Sequence, residues 1–100
     1  MIPELEALDI KKVESVLSEG LADIYNALPA DVQPAFRAAG EEAARQIYEL
    51  LKAVTVEISK VITVMRHWLR LIPGVSGDYL EQEVKIKTDK LLRLRKSNMN

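Results

Sequence analysis

The chain has 100 residues, of which 48% are hydrophobic and 29% charged, a composition typical of one folded domain spanning 1–100 and not of a disordered segment. It has no Cys, which excludes disulfides, thiol catalysis and thiolate metal sites, and its acid-containing N-terminus lacks the apolar core of a signal peptide, which favours a cytoplasmic protein. The net charge is −1, but residues 1–50 hold ten acidic and four basic residues and residues 51–100 hold five acidic and ten basic ones, so one half is acidic and the other basic.

The first predicted helix runs from about residue 3 to residue 28. Pro3 suits a first helical turn, where its missing N–H is not needed. Gly20 lies beside the apolar face of this helix, where it weakens the helix but permits a close approach by a neighbour. The apolar residues recur at helical spacing; they are Ile10, Val13, Leu17, Leu21, Ile24 and Leu28.

The second predicted helix runs from about residue 31 to residue 72. Asp31 is a good N-cap residue, Pro34 is tolerated in a first turn, and Pro73 disfavours helix at the residue before it. Apolar residues follow one another at alternating steps of four and three, which is a sustained heptad repeat. They are Ile47, Leu51, Val54, Ile58, Val61, Met65, Trp68 and Ile72.

The third predicted helix runs from about residue 78 to residue 96. Asp78 and Glu81 have the spacing of a capping box, and residues 97–100 are expected to form a frayed tail. The apolar face of this helix is thin and has Lys87 at a position where an apolar residue is expected. Its apolar members are Leu80, Val84, Leu91 and Leu94.

These elements predict an all-α fold of three antiparallel helices around a long central helix, with packing like that of a coiled coil. The second helix would have about 41 residues and measure roughly 60 Å, so the first and third helices would each cover half of it. That arrangement leaves part of the broad apolar stripe in water, and we expect dimerisation to complete a helical bundle. The alternative is a bend near Gly40, which would give a compact monomer.

No group of residues in the sequence is typical of an active site. His67 has no carboxylate one turn away on its helix and is surrounded by cations. Glu41, Glu42 and Glu49 lack the His that a di-metal site in a helical bundle needs. Residues 74–77 contain two glycines but lack the lysine of a phosphate-binding loop. We therefore expect a protein that is not an enzyme and that holds no cofactor and no metal.

Basic residues gather towards the C-terminus, where they could bind an anionic partner, although cations also gather near helix C-termini because of the helix dipole. The residues with this prediction are Arg66, Arg70, Lys85, Arg93 and Arg95. A nucleic acid is one alternative partner. The sequence, however, has few aromatic residues among its basic residues on which nucleobases could stack. A membrane surface is another, through the amphipathic segment around Trp68.

The sequence as a whole predicts a small, non-enzymatic helical interaction protein that forms a homodimer and binds a protein partner, by apolar burial with charge steering. The residues expected to carry packing or assembly lie on the second helix. They are Ile58, Val61, Met65, Trp68 and Leu69.

Overall fold

The computed structural model describes residues 8–99, with side chains described as far as residue 97, and this part of the chain is helical without any strand. It contains five helices, which are α1 (Ile10–Ser18), α2 (Ala22–Ala27), α3 (Gln33–Lys52), α4 (Ile58–Leu69) and α5 (Gly77–Met99). The predicted all-α class is confirmed. The prediction of three helices with a continuous central one is wrong, because the first and second predicted helices are each broken in two.

The first predicted helix is broken at Gly20, and its predicted start at Pro3 lies outside the described residues. Helix α1 begins after Asp9, whose side chain accepts a hydrogen bond of 2.9 Å from the backbone N–H of Lys11. Gly20 has a φ of +76°, a left-handed conformation that ends α1 and that residues with a Cβ rarely adopt. A Cβ at Gly20 would meet nothing within 4 Å, so the glycine serves backbone geometry and not a close approach.

The second predicted helix is interrupted at residues 53–57, which we call the α3–α4 connection. The expected alternative of a bend near Gly40 is also wrong, because α3 passes through Gly40 without interruption. Gly40 instead makes room for Trp68, since a Cβ there would lie 3.1 Å from the indole ring. The connection contains the β-branched run Val54 to Val56, which has a weak preference for helix.

The ends of the predicted helices differ from the sequence-based bounds by a few residues. Helix α3 follows Val32 and not Asp31, although Pro34 does lie in its first turn as predicted. Helix α4 ends at Leu69, and turns lead from there into Pro73. Such shifts are ordinary, because helix ends fray and the last turn of a helix is often irregular.

Helix α5 matches its prediction closely but is capped by a different residue. The hydroxyl of Ser76 accepts a hydrogen bond of 3.1 Å from the backbone N–H of Tyr79, so Ser76 takes the place predicted for Asp78. Glu81 does not close a capping box and instead forms an ion pair with Arg66 of α4. The predicted frayed tail is also wrong as far as the structure reaches, because the helix continues through residue 99.

Four helices surround the apolar core, with contacts in the order α1–α3–α4–α5 and back to α1, while the short α2 links α1 to α3. Helices α3 and α4 run antiparallel, since Phe36 near the start of α3 stacks on Trp68 near the end of α4 with ring centroids 5.2 Å apart. Helices α1 and α5 therefore cover the apolar stripe that was predicted to be covered by a second copy.

Candidate functional site

The five residues predicted to carry packing or assembly lie mostly inside the chain. Val61, Met65 and Leu69 are fully buried, and Trp68 is nearly so. Only Ile58 reaches the surface, with 45% of it exposed. The packing part of this prediction agrees with the structure, whereas assembly through these residues stays a prediction that now depends on Ile58.

The burial of Trp68 also bears on the predicted membrane surface. Its indole lies against Phe36, whose carbonyl oxygen accepts a hydrogen bond of 3.4 Å from the indole N–H. A tryptophan packed in this way cannot enter a lipid interface without opening the core. In the part of the chain that the structure describes, no helix has the length and apolar character needed to cross a membrane.

Two of the predicted anion-binding residues are engaged in ion pairs within the chain. Arg66 donates two hydrogen bonds, of 2.7 and 2.8 Å, to the carboxylate of Glu81, which joins α4 to α5. These hydrogen bonds hold the pKa of Glu81 below its ordinary value. Arg93 pairs with Asp89 one turn earlier at 2.8 Å.

The other three predicted anion-binding residues differ in their exposure and in their contacts. Arg70 and Lys85 are exposed, and Arg70 adds its charge to the field that lowers the pKa of Glu81. Arg95 is partly buried and faces the end of α3. Three of the five predicted cations thus donate to groups of the same chain.

Arg95 binds the carbonyl groups at which α3 ends. Its guanidinium donates to the carbonyl oxygens of Leu51 at 2.8 Å, Ala53 at 2.8 Å and Val54 at 3.0 Å. The last carbonyls of a helix have no partner within the helix and carry partial negative charge, so a cation satisfies both their hydrogen bonds and their field. Arg95 therefore acts as a C-terminal cap supplied by a distant part of the chain.

Lys87 performs the same task at the end of α1, a role that the sequence did not predict. Its side chain is 2% exposed, and its ammonium donates to the carbonyl oxygens of Glu19 at 2.6 Å and Val16 at 3.4 Å. Glu83, one turn earlier on α5, pairs with it at 3.1 Å. The available signal was a cation at a position where the helical pattern of α5 requires an apolar residue.

The α3–α4 connection exposes apolar side chains beside the Arg95 cap. Val54 is 95% exposed, the highest value among the large hydrophobic residues that the structure describes. Ile58 follows four residues later at the start of α4. An open groove of about 510 Å³ runs from this connection between α3 and α4, with apolar lining from Leu50, Ala53 and Val64.

A larger open groove of about 920 Å³ lies where α1 and α2 meet α3. Its apolar floor includes Leu17, Leu21 and Trp68, and its edge carries charges of both signs, such as Lys11 and Glu41. Within residues 8–99, no three acidic or histidine side chains come together in a way that could hold a metal ion. The groove thus combines an apolar floor with charges of both signs at its edge.

No protein-family model, curated protein or solved structure matches this chain. Its function must therefore be inferred from its own contacts. Among these, the α3–α4 connection combines an exposed apolar pair, an apolar groove and a backbone held by a distant arginine, and it is the candidate interaction site.

Proposed function

We propose that the chain is a non-enzymatic helical interaction protein that assembles with itself through the α3–α4 connection. The observation that supports this most directly is the exposure of Val54 together with Ile58 on one short segment. Exposed apolar residues that are scattered singly are ordinary on protein surfaces. Here two of them lie four residues apart, the first of them next in the chain to Ala53, which lines the open groove, and a second copy would bury both.

The charges around the connection have the arrangement of an interface rim. Lys52 pairs with Glu49 at 3.8 Å and Lys60 pairs with Glu57 at 3.1 Å, and all four side chains are largely exposed. An apolar centre surrounded by solvated polar groups is the common anatomy of a protein–protein interface. Satisfied ion pairs at the rim add little affinity but do not oppose association.

The basic residues favour self-association over an acidic partner or a nucleic acid. Arg66, Arg93 and Arg95 donate to groups of the same chain, although Arg93 is exposed, as are Arg70 and Lys85. Affinity for nucleic acid depends on the number of phosphates that cations neutralise, and cations already paired within the chain contribute less to that number.

The test is light scattering over a wide range of protein concentration. We expect the wild type to form a dimer whose fraction rises with concentration, and Ile58→Ser and Val54→Ser to lower that fraction. The matched control is Ile86→Ser, because Ile86 on α5 is exposed to 44%, nearly the same as Ile58. A chain that stays monomeric throughout, or an equal loss of dimer in the control, would contradict the proposal.

A further inference from the structure

The heptad pattern of the sequence continues through the α3–α4 connection even though the helix does not. Leu51 and Val61 are buried on either side of it, at 1% and 0% exposure. Val54 and Ile58 occupy the two heptad positions between them and are the members of this series that lie in solvent. In a continuous helix all four side chains would lie on one face.

The connection also lacks the residues that normally end a helix. The neighbouring breaks contain Gly20, Pro29 or the pair Pro73-Gly74, whereas residues 53–57 read Ala-Val-Thr-Val-Glu. The β-branched residues among them weaken a helix but do not prevent one. The local sequence is therefore compatible with two conformations, a turn and a helix.

Arg95 selects the turn by occupying the acceptors that a helix would need. In a continuous helix, the carbonyls of Leu51, Ala53 and Val54 would each accept from the N–H group four residues further along. In the structure they accept from the Arg95 guanidinium instead. The Arg95 contacts therefore stabilise the turn relative to a continuous helix, because they satisfy carbonyls that the turn leaves without a helical donor.

A continuous helix does not fit within a single copy of the folded chain. From Gln33 to Leu69 it would measure about 55 Å, whereas the long axis of the fold is 46 Å. Straightening would also separate Trp68 from Phe36 and leave both halves of the core in water. A second copy, straightened in the same way, would supply the missing half to each.

We propose that the α3–α4 connection is a hinge through which two copies of the chain exchange α4 and α5, giving a domain-swapped dimer. This inference rests on the proposed self-association and specifies its geometry. The contacts of the closed chain, such as Phe36 with Trp68 and Glu19 with Lys90, re-form between copies. The new contacts lie at the two hinges, where Val54 and Ile58 of both copies meet around the two-fold axis.

The exchange is tested by cross-linking in isotopically mixed dimers. Chains labelled with ¹⁵N and unlabelled chains are mixed in denaturant, refolded together at high concentration, and the dimer is isolated by size-exclusion chromatography. A carbodiimide then condenses the contacting Glu19 carboxylate and Lys90 amine into an amide, and mass spectrometry weighs the joined peptides. A swapped dimer gives Glu19–Lys90 products that combine a light and a heavy peptide, because the two residues then belong to different chains.

Two controls accompany this measurement. The pair Glu57–Lys60, at 3.1 Å, belongs to one chain in either form and must give products of uniform label. The variant Glu19→Gln lacks the carboxylate and must lose the Glu19–Lys90 product. A dimer whose Glu19–Lys90 products are all of uniform label would overturn the swap while leaving self-association standing. The absence of any dimer would overturn the proposed function itself.

Two substitutions at the hinge act in opposite directions. Val54→Pro meets two requirements of the turn, because Ala53 before it has an extended ψ of 153° and the N–H of Val54 has no acceptor among the described residues. Proline at this position disrupts a continuous helix. We expect it to fold as a monomer and to abolish the mixed-label product. Arg95→Gln frees the three carbonyls and should raise the dimer-to-monomer ratio at least about tenfold.

The matched control for Arg95→Gln is Arg93→Gln, which removes an exposed cation of the same helix and should leave the ratio unchanged. If circular dichroism shows that Val54→Pro does not fold, the dimer fraction of Arg95→Gln alone tests the proposed hinge. An unchanged or lower dimer fraction in Arg95→Gln, or an equal rise in Arg93→Gln, would overturn the hinge.

Discussion

Two helix ends in this molecule are capped in the same way but encoded differently. Helix α1 ends at Gly20 with Lys87 donating to its last carbonyls, and α3 ends at the α3–α4 connection with Arg95 donating to its last carbonyls. Both cations lie on α5, eight residues apart. The first end also has a glycine in the left-handed conformation, whereas the second has neither glycine nor proline.

The end of α1 is therefore determined by the local sequence, whereas the end of α3 is determined by a tertiary contact. At the end of α1 the backbone turns because Gly20 permits it, and Lys87 then stabilises the exposed carbonyls. At the end of α3 the turn depends on a side chain more than forty residues away. Removing the cation should therefore cost stability at the first end and change the conformational preference at the second.

The largest effect is expected from Lys87→Ala, which empties a buried site and leaves both the end of α1 and Glu83 without their partner. Loss of one member of a buried ion pair costs roughly 3 kcal/mol, and we expect the free energy of unfolding to fall by about that amount. Urea denaturation followed by circular dichroism measures it. The control Lys85→Ala lies on the exposed face of the same helix and should change stability by less than about 0.5 kcal/mol; similar losses in both would refute the internal cap.

Arg95→Gln is expected to have a smaller effect on the stability of the dilute monomer. Hydrogen bonds from a charged donor contribute about 1.5 kcal/mol or more when buried, but Arg95 is only partly buried and water can replace it. We expect a loss of about 1 kcal/mol in urea denaturation, together with faster amide hydrogen exchange at residues 50–58. Faster exchange at the end of α1 instead would show that Arg95 does not control the α3–α4 connection.

Gly20→Ala tests the local break. A residue with a Cβ in the left-handed conformation costs about 1 kcal/mol, and we expect thermal unfolding to show a loss of that size. The control is Gly77→Ala, because Gly77 has ordinary φ and open space around its Cβ position, so alanine there should be neutral or slightly stabilising. A neutral Gly20→Ala would mean that Lys87 alone ends α1.

The parts of the fold that sequence predicted well are those fixed by apolar periodicity. The buried positions of α4, such as Val61 and Met65, follow the heptad pattern, and α5 occupies nearly its predicted range. Burial of an apolar stripe is a property of one segment and can be recognised from spacing alone. The close approach of Trp68 to Gly40 could not be predicted, because it joins two helices.

The interrupted helix and the two cation caps could not be predicted for a related reason. Residues 53–57 continue the heptad, so the local pattern favours helix, and the contact that opposes it comes from Arg95. Lys87 looked like a gap in an apolar face because its acceptors, the carbonyls of Val16 and Glu19, are about seventy residues away. Every residue has a backbone carbonyl, so the acceptors of such a cap cannot be recognised in a sequence. The sequence shows only a cation at a position where its role is not evident.

The smallest expected effect concerns Glu19, an acid at the C-terminal end of α1 where the helix dipole opposes a negative charge. The hydrogen bond from Lys90, followed by the charges of Lys90 and Lys87, holds the pKa of Glu19 below its ordinary value of 4.5. A lowered pKa means that the carboxylate favours the folded state, so its contribution to stability is present above pH 4.5 and is lost as the pH falls through the lowered pKa. The side-chain carboxyl carbon of Glu19, titrated by NMR, reports this directly.

Lys90→Ala should raise the pKa of Glu19 towards its ordinary value without restoring it fully, because Lys87 remains nearby. The internal control is Glu81, whose pKa is lowered by its hydrogen bonds from Arg66 of α4. The pKa of Glu81 should be unchanged in Lys90→Ala. If the pKa of Glu19 is the same in wild type and Lys90→Ala, then the cation at the end of α1 that matters is Lys87 alone. The end of α1 would then be capped by Lys87 alone, as the end of α3 is capped by Arg95 alone. The left-handed Gly20 would be the one feature that distinguishes the two helix ends.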